Sequence, residues 1–263
     1  MRREAQRMKP RKRFGQNFLT NQQIIDDIIA LIQPCLEDNL IEIGPGQGAL
    51  TDPLLRAAKK LHVVELDRDL ISPLKAQCAL TGELTVHQAD ALKFDFAALL
   101  TDHPGRLVGN LPYNISSQLL FHLLRYQERI TDMHFMLQKE VVDRMAAGPN
   151  SKAYGRLSVM IQVHCRVEPL LFVPPSAFYP APKVDSMIVR LTPYRPARYP
   201  DVPLETLDKI VRLAFQQRRK TLRNSLGAVC DEAALLACDI DPRHRAENLS
   251  VAQYCALAQH LTP

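Results

Sequence analysis

The sequence predicts an α/β fold, with a mostly parallel sheet, helices on both of its faces and a small all-helical C-terminal region. Three observations predict it. Short apolar runs alternate with helix-like stretches from about Leu40 to Leu137, the pattern of βαβ units. The runs are continuously apolar rather than alternating, as strands covered on both faces are. After a stretch punctuated by prolines from Pro169 to Pro203, the pattern becomes wholly helical.

The elements follow in order. Gln22–Ile32 reads as an amphipathic helix, because Ile24, Ile25, Ile28, Ile29 and Ile32 recur at helical spacing. Strands are expected at Leu40–Ile43, Leu61–Glu65, Leu84–His87, Leu107–Val108 and Met133–Leu137. Helices are expected between and after them at Leu50–Lys59, Leu70–Leu80, Ser116–Tyr126 and Lys139–Ala146. The proline-rich stretch holds one clear strand candidate, Met187–Leu191. Helical segments then run over Leu204–Phe215, Thr221–Leu226, Glu232–Ala237 and Val251–Gln259. Pro193–Pro203 reads as a linker, so the domain boundary falls near Tyr194, giving domains of 1–194 and 195–263.

Composition narrows the function classes. The 263 residues are 46% hydrophobic and 23% charged, which excludes wholesale disorder, collagen and coiled coil. No apolar run is long enough to cross a membrane. A chain of this length buries a core without disulfide or metal staples. The six cysteines, Cys35, Cys78, Cys165, Cys230, Cys238 and Cys255, form no C-x-x-C pair and match no zinc spacing. They read as reduced, mostly buried thiols, and no metal site is expected. Arg2, Arg3, Arg7, Lys9, Arg11, Lys12 and Arg13 crowd the start of the chain against Glu4 alone, with no apolar secretory core behind them. A cytoplasmic protein with a basic arm is expected, with organelle targeting as the weaker reading.

The net charge is only +5, so its distribution carries the information. A second basic cluster, Arg212, Arg218, Arg219, Lys220 and Arg223, contains no acid. Two such clusters suggest a polyanion partner, although either one alone reads equally well as a solvated face.

Ile41-Glu42-Ile43-Gly44-Pro45-Gly46-Gln47-Gly48-Ala49-Leu50 reads as strand, glycine turn and helix start. Such glycines let the backbone pass close beneath a nucleotide. Glu65 ends the next strand, about 20 residues on, where a carboxylate can accept ribose hydroxyls. Gly44, Gly46 and Ala49 also satisfy the relaxed dinucleotide fingerprint. The loop alone therefore leaves a nicotinamide dinucleotide and S-adenosylmethionine both open. Asp90 follows the third of these strands, where it could accept from an adenine amino group or simply cap a helix.

Gly109-Asn110-Leu111-Pro112-Tyr113 closes the fourth strand with a proline-fixed turn. It places a side-chain amide, a peptide carbonyl and an aromatic face at the sheet's carboxyl edge, where open α/β sheets bind ligands. This grouping suits methylation of an exocyclic amine. The nitrogen lone pair of such an amine is delocalised into its ring. The Asn110 side-chain oxygen and the Leu111 carbonyl can each accept one N–H, which turns the lone pair out of plane and stabilises charge that grows in the transition state. Tyr113 offers a face for a base that has left its helix.

Taken together, four motifs resemble the bacterial small-subunit (16S) ribosomal RNA adenine N6-dimethyltransferase family. They are Lys12-Arg13-Phe14-Gly15-Gln16-Asn17-Phe18-Leu19, Glu42–Gly48, Gly109–Tyr113 and Phe178-Tyr179-Pro180-Ala181-Pro182-Lys183-Val184-Asp185-Ser186. Gln217–Leu226 is a fifth, in the second domain. The resemblance implies a Rossmann-like, S-adenosylmethionine-dependent methyltransferase domain followed by a small helical domain. It implies dimethylation at N6 of two adjacent adenines near the 3′ end of 16S rRNA in the immature small ribosomal subunit. It places Asn17, Leu19, Gly44, Gly46, Glu65, Asp90 and Asn110 at the cofactor. It places Asn110, Leu111, Tyr113 and Phe178 at the target base, with Tyr113 and Phe178 sandwiching it. Arg11, Lys12, Arg13, Arg218, Arg219, Lys220 and Arg223 would meet RNA phosphates. A chain that docks on so large a particle is expected to act as a monomer. Two other readings remain: an assembly factor that acts mainly by binding, and a nicotinamide-dependent oxidoreductase.

Overall fold

A computed structural model describes residues 16–101 and 103–262. In chain order the first elements are β1 (Phe18–Leu19), α1 (Gln22–Ile32), β2 (Asn39–Ile43), α2 (Thr51–Ala58), β3 (Lys60–Glu65), α3 (Arg68–Cys78) and β4 (Glu83–Gln88). Then come β5 (Gly105–Asn110), α4 (Ser116–Leu124), β6 (Ile130–Gln138), α5 (Lys139–Ala146), α6 (Arg156–Gln162) and β7 (Cys165–Val173). The chain ends with β8 (Phe178–Tyr179), β9 (Ser186–Pro193), α7 (Leu204–Gln216), α8 (Leu222–Leu226), α9 (Glu232–Ala237) and α10 (Val251–His260).

Seven strands form one sheet in the order β4-β3-β2-β5-β6-β9-β7. The neighbours from β4 to β6 are all parallel. From β2 the chain moves outward through β3 and β4, then returns to the other side of β2 with β5 and β6. The order therefore reverses between β2 and β5, and a crevice opens at the carboxyl ends of those two strands. The separate pair β1–β8 is antiparallel, with Phe18 opposite Tyr179 and Leu19 opposite Phe178.

The chain divides into two compact units. One is Met1–Lys139 with Leu170–Arg190; the other is Glu140–Pro169 with Leu191–Pro263. The later crossing falls between Arg190 and Leu191, where the linker suggests a boundary near Tyr194. The grouping of Glu140–Pro169 with the second unit has no counterpart in the sequence pattern.

In the first unit, Leu54 and Leu55 of α2 pack with Leu40, Leu61, Val63, Val108 and Met136 of the sheet and with Ile25, Ile28 and Ile32 of α1. Asn21 caps α1, its side chain accepting from the Ile24 N–H. Arg106 on β5 is mostly buried. It donates to Asp132 and Asp38 and to the carbonyls of Ile32 and Gln33. This clamp ties α1 to the strand that ends in Asn110.

The second unit is built on α7, α10 and α6. Leu207, Ile210, Val211 and Ala214 line the inner face of α7. The Phe215 ring lies between Tyr154 and Tyr254, at 6.0 and 6.1 Å, and the buried Tyr254 hydroxyl donates to the Ala246 carbonyl at 2.7 Å.

Three of the elements absent from the sequence reading have a simple explanation. Pro169 argues against a strand over Cys165–Val173, yet β7 forms there. It lies at the end of the sheet order, where a residue without an N–H costs no ladder bond. The strands β1 and β8 hold two residues each, too few for any periodicity to register. No helix among the described residues is long and apolar enough to cross a membrane. Among the same residues, no group of three or more His, Cys, Asp and Glu side chains could hold a metal ion.

Candidate functional site

A cavity of about 360 Å³ lies at the reversal point of the sheet, within the range of roughly 300–1,000 Å³ typical of small-molecule sites. Its walls come from Gln16–Leu19, the glycine turn, the ends of β3 and β4, and the turn after β5. Asn17, Leu19, Gly44, Gly46, Glu65, Asp90, Asn110, Leu111 and Tyr113 all line it. The residues from Gly44 to Tyr113 lie far apart in sequence and meet because parallel strands bring their carboxyl ends to one edge, while Asn17 and Leu19 reach it from outside that sheet.

Gly44 sits at φ +68°, and a Cβ added there would have only the Asn110 carbonyl oxygen nearby, at 3.9 Å. The turn thus leaves open a space that a side chain would occupy. At Gly109 the constraint is contact: an added Cβ would collide with the Ile43 carbonyl oxygen. Only glycine lets β5 approach β2 closely enough to set Asn110 beside the loop.

Glu65 is buried. Its carboxylate accepts from the Asp67 N–H at 2.7 Å and from the Gly46 N–H at 3.3 Å. Burial raises its pKa, while those two N–H groups pull it down. It therefore braces the glycine turn from beneath while facing the cavity. Asp90 caps a turn and also reaches the cavity. Its Oδ1 accepts from the Leu92 N–H at 3.0 Å as a turn cap, and it lines the cavity.

The segment Gln16–Leu19 straps across the carboxyl edge. The Gln16 side chain donates to Asp67 Oδ2 at 3.2 Å. At the other end, Asn110 Nδ2 donates to the Asn17 carbonyl at 3.0 Å. That bond commits the amide nitrogen, so Oδ1 is the acceptor Asn110 still has to offer. The Leu111 side chain is buried and its N–H donates to the Met136 carbonyl, which anchors the turn. Tyr113 is half-buried, and its hydroxyl shares a 2.8 Å hydrogen bond with Ser186 Oγ. Burial raises the Tyr113 pKa, with the Ser186 bond opposing it, so the ring is a neutral face and not a base.

Phe178 departs from its expected place. It is 5% exposed, packs in the core and does not line the cavity. Strand alternation on β8 turns Phe178 inward and Tyr179 outward. The basic residues divide as well. Arg11, Lys12 and Arg13 lie outside the described residues. Arg218 bonds to Glu247 at 2.6 Å and to the carbonyls of Lys152 and Ser151. Arg219, Lys220 and Arg223 are exposed, with Arg223 at 3.7 Å from Glu232.

This division gives a prediction. Arg218→Ala removes a charged three-bond anchor worth roughly 2 kcal/mol, so Tm should fall by about 4–8 °C. The double variant Arg219→Ala/Lys220→Ala should leave Tm unchanged. It should flatten the salt dependence of RNA affinity by about one unit of slope per lost phosphate contact. Thermal melts and filter binding across a salt series check both.

Three contributors escaped the sequence reading. Phe18, which composition assigns to the core, lines the cavity. Ser186 meets Tyr113 from 73 residues away, and no local pattern links them. Glu42 is the third. It is buried, lines the cavity, and accepts from the Thr51 hydroxyl at 2.6 Å. Burial pushes its pKa from 4.5 to about 8, against the Thr51 bond.

The sign of the pH effect follows from that shift. Below 4.5 the group is protonated whether folded or unfolded, so no penalty arises. Above about 8 it is ionised in both states, and the folded state bears the full burial cost. Stability from this group is therefore lost as pH rises between those values. Glu42→Gln should flatten that fall in Tm, raising it at about pH 8.5 and leaving it unchanged at about pH 5. Melting the ligand-free protein across pH checks this.

The family model described as ribosomal RNA adenine dimethylase matches residues 7–262. The chain belongs to the ribosomal RNA adenine dimethylase family. It is 57% identical over 256 residues to the ribosomal RNA small subunit methyltransferase A of Saccharophagus degradans, covering 97% of this chain and 96% of that one. It is 53% identical over 254 residues to the protein of the same name from Vibrio cholerae, covering 96% and 94%. Among solved structures, a dimethyladenosine transferase from Plasmodium falciparum superposes with a TM-score of 0.80 at 29% identity, covering 91% of this chain and 95% of that chain. Family membership makes the chain a ribosomal RNA adenine dimethyltransferase with a Rossmann-like fold, and it gives no support to the nicotinamide-dependent reading.

Proposed function

We propose that this chain uses S-adenosylmethionine to dimethylate N6 of two adjacent adenines near the 3′ end of 16S rRNA, as a single chain in the cytoplasm acting on immature small subunits. The observation that carries the chemistry is the Asn110 amide, whose nitrogen is held by the Asn17 carbonyl and whose oxygen remains to accept. The cavity fits the adenosine part of the cofactor: Gly44 leaves room for it, Glu65 can accept from ribose hydroxyls, and Asp90 can accept from the adenine amino group. S-adenosylmethionine, when bound, supplies an electrophilic methyl carbon.

The protein's part is to prepare the nitrogen. Asn110 Oδ1 and the Leu111 carbonyl accept the two N–H bonds of the target amine. This draws the lone pair out of conjugation and stabilises positive charge as it develops on nitrogen. Tyr113 presents a neutral ring for the base to stack on. The proton is lost to water, since an alkylated aryl ammonium is strongly acidic. After one transfer the remaining N–H still has an acceptor, so a second methyl can follow at the same nitrogen. Arg219, Lys220 and Arg223 add phosphate contacts that position the RNA without reading its sequence, and the shape of the folded RNA supplies specificity.

The test is tritiated methyl transfer to small subunits that lack the modification, with the nucleoside identified by mass. N6,N6-dimethyladenosine at two neighbouring positions is the expected product. Label in another nucleoside, or none, overturns the proposal.

A further inference from the structure

The segment Tyr179–Asp185 is fixed at both ends on partners of the cavity wall. At one end Tyr179 pairs with Phe18, a residue of the cavity wall whose ring lies 3.2 Å from where a Cβ on Gly46 would be. At the other end the Asp185 carbonyl accepts from the Lys139 N–H at 2.9 Å, and the adjoining Ser186 holds the Tyr113 hydroxyl. In the sheet order, Asp90 and Glu65 follow β4 and β3 on one side of β2, while β5, β6 and β9 lie on the other. The segment therefore runs from Phe18, beside the glycine turn, to Ser186, beside Tyr113 of the target-base turn.

Its surface chemistry is distinctive. Tyr179 is 50% exposed and Val184 43% exposed, and Lys183 between them is exposed as well. In a chain with no Trp and only 6% aromatic residues, an outward ring beside a base-accepting cavity calls for a ligand. Rings exposed next to a cation are the means by which proteins hold single-stranded nucleic acid, the ring stacking on a base and the cation meeting its phosphate.

We propose that Tyr179 and Lys183 form a subsite for the nucleotide next to the target adenine, Tyr179 stacking on its base and Lys183 contacting its phosphate. This rests on the reading of the chain as an enzyme acting on adenine in single-stranded ribosomal RNA. Stacking carries most of the affinity, and Lys183 adds a single phosphate contact to the salt dependence. The subsite keeps the flanking base unstacked from the target and so favours a strand already splayed open.

The experiment uses the full chain, unmethylated small subunits, and a short single-stranded RNA carrying 2-aminopurine beside the target adenine. Tyr179→Ala and Tyr179→Leu should each raise KM for the subunit by about 5- to 100-fold. In both variants kcat, Tm and cofactor affinity should stay as in the wild type, and Tyr179→Phe should restore KM. Leucine keeps bulk but not the ring, so a packing role would be rescued by it and a stacking role would not. Wild-type protein should quench the 2-aminopurine on binding, independently of how any variant folds. Lys183→Ala should lower the salt slope by about one unit. Unchanged KM in the leucine variant, or no quenching by the wild type, overturns the subsite. Failure of the underlying reading looks different: the wild type would then methylate no adenine at all.

Discussion

Asn110→Ala is expected to lower kcat for methyl transfer by about 10²–10³-fold, the cost of removing one preorganised partner of transition-state charge. The structure explains why the loss should fall on kcat. Asn110 Nδ2 is anchored on the Asn17 carbonyl, so Oδ1 is set in place before substrate arrives and pays no reorganisation when charge develops. Cofactor affinity should fall by less than about tenfold, the worth of a single hydrogen bond. Asn110→Asp makes a sharper comparison. It keeps an acceptor oxygen but replaces the donating nitrogen with a second oxygen against the Asn17 carbonyl. It should be as inactive as alanine, through loss of orientation. Single-turnover kinetics with calorimetry for the cofactor separate these effects, and an unchanged kcat for Asn110→Ala overturns the mechanism. The same variant divides catalysis from assembly. Full rescue of subunit maturation by Asn110→Ala in cells would show that occupancy of the subunit, rather than methylation, is what maturation requires.

Glu65→Ala is the second large effect, on binding. In the proposed binding mode the carboxylate accepts from both ribose hydroxyls, and it holds the Gly46 and Asp67 N–H groups. Charged hydrogen bonds contribute roughly 1.5–3 kcal/mol each. Removing the group should weaken S-adenosylmethionine by about 100-fold or more, at about 1.4 kcal/mol per tenfold. Glu65→Gln should fall between, because one oxygen remains to accept while the amide nitrogen opposes a backbone N–H. Calorimetry checks the affinities, and kcat at saturating cofactor should change far less than Kd. A Kd within about threefold of wild type would remove Glu65 from the cofactor site.

The cavity was legible in sequence because its parts lie at ends of consecutive strands. Gly44, Glu65, Asp90 and Asn110 each follow an apolar run, and parallel strands carry such positions to a common edge without further information. Some element termini agree closely, Leu61–Glu65 as read being Lys60–Glu65 as formed and the helix Lys139–Ala146 unchanged, while β5 and β6 extend two to three residues beyond the apolar runs. Phe178, Arg218 and Ser186 were not legible in the same way. For Phe178 the side chain's direction depends on the register of a two-residue strand against β1. For Arg218 it depends on Glu247 and on carbonyls at 151 and 152. For Ser186 the decisive partner, Tyr113, lies in another crossover.

What the sequence determined by itself is the βαβ order, the glycine turn and the residue types at each strand end, because periodicity, backbone freedom and local turn chemistry are properties of short stretches. What the tertiary structure decided is which polar atoms remain to do chemistry. Asn110 keeps an oxygen, Arg218 pairs with Glu247, and Tyr179 faces outward while Phe178 does not. Those outcomes depend on partners distant in the chain, whose positions are set only when the sheet closes its register and the core excludes water.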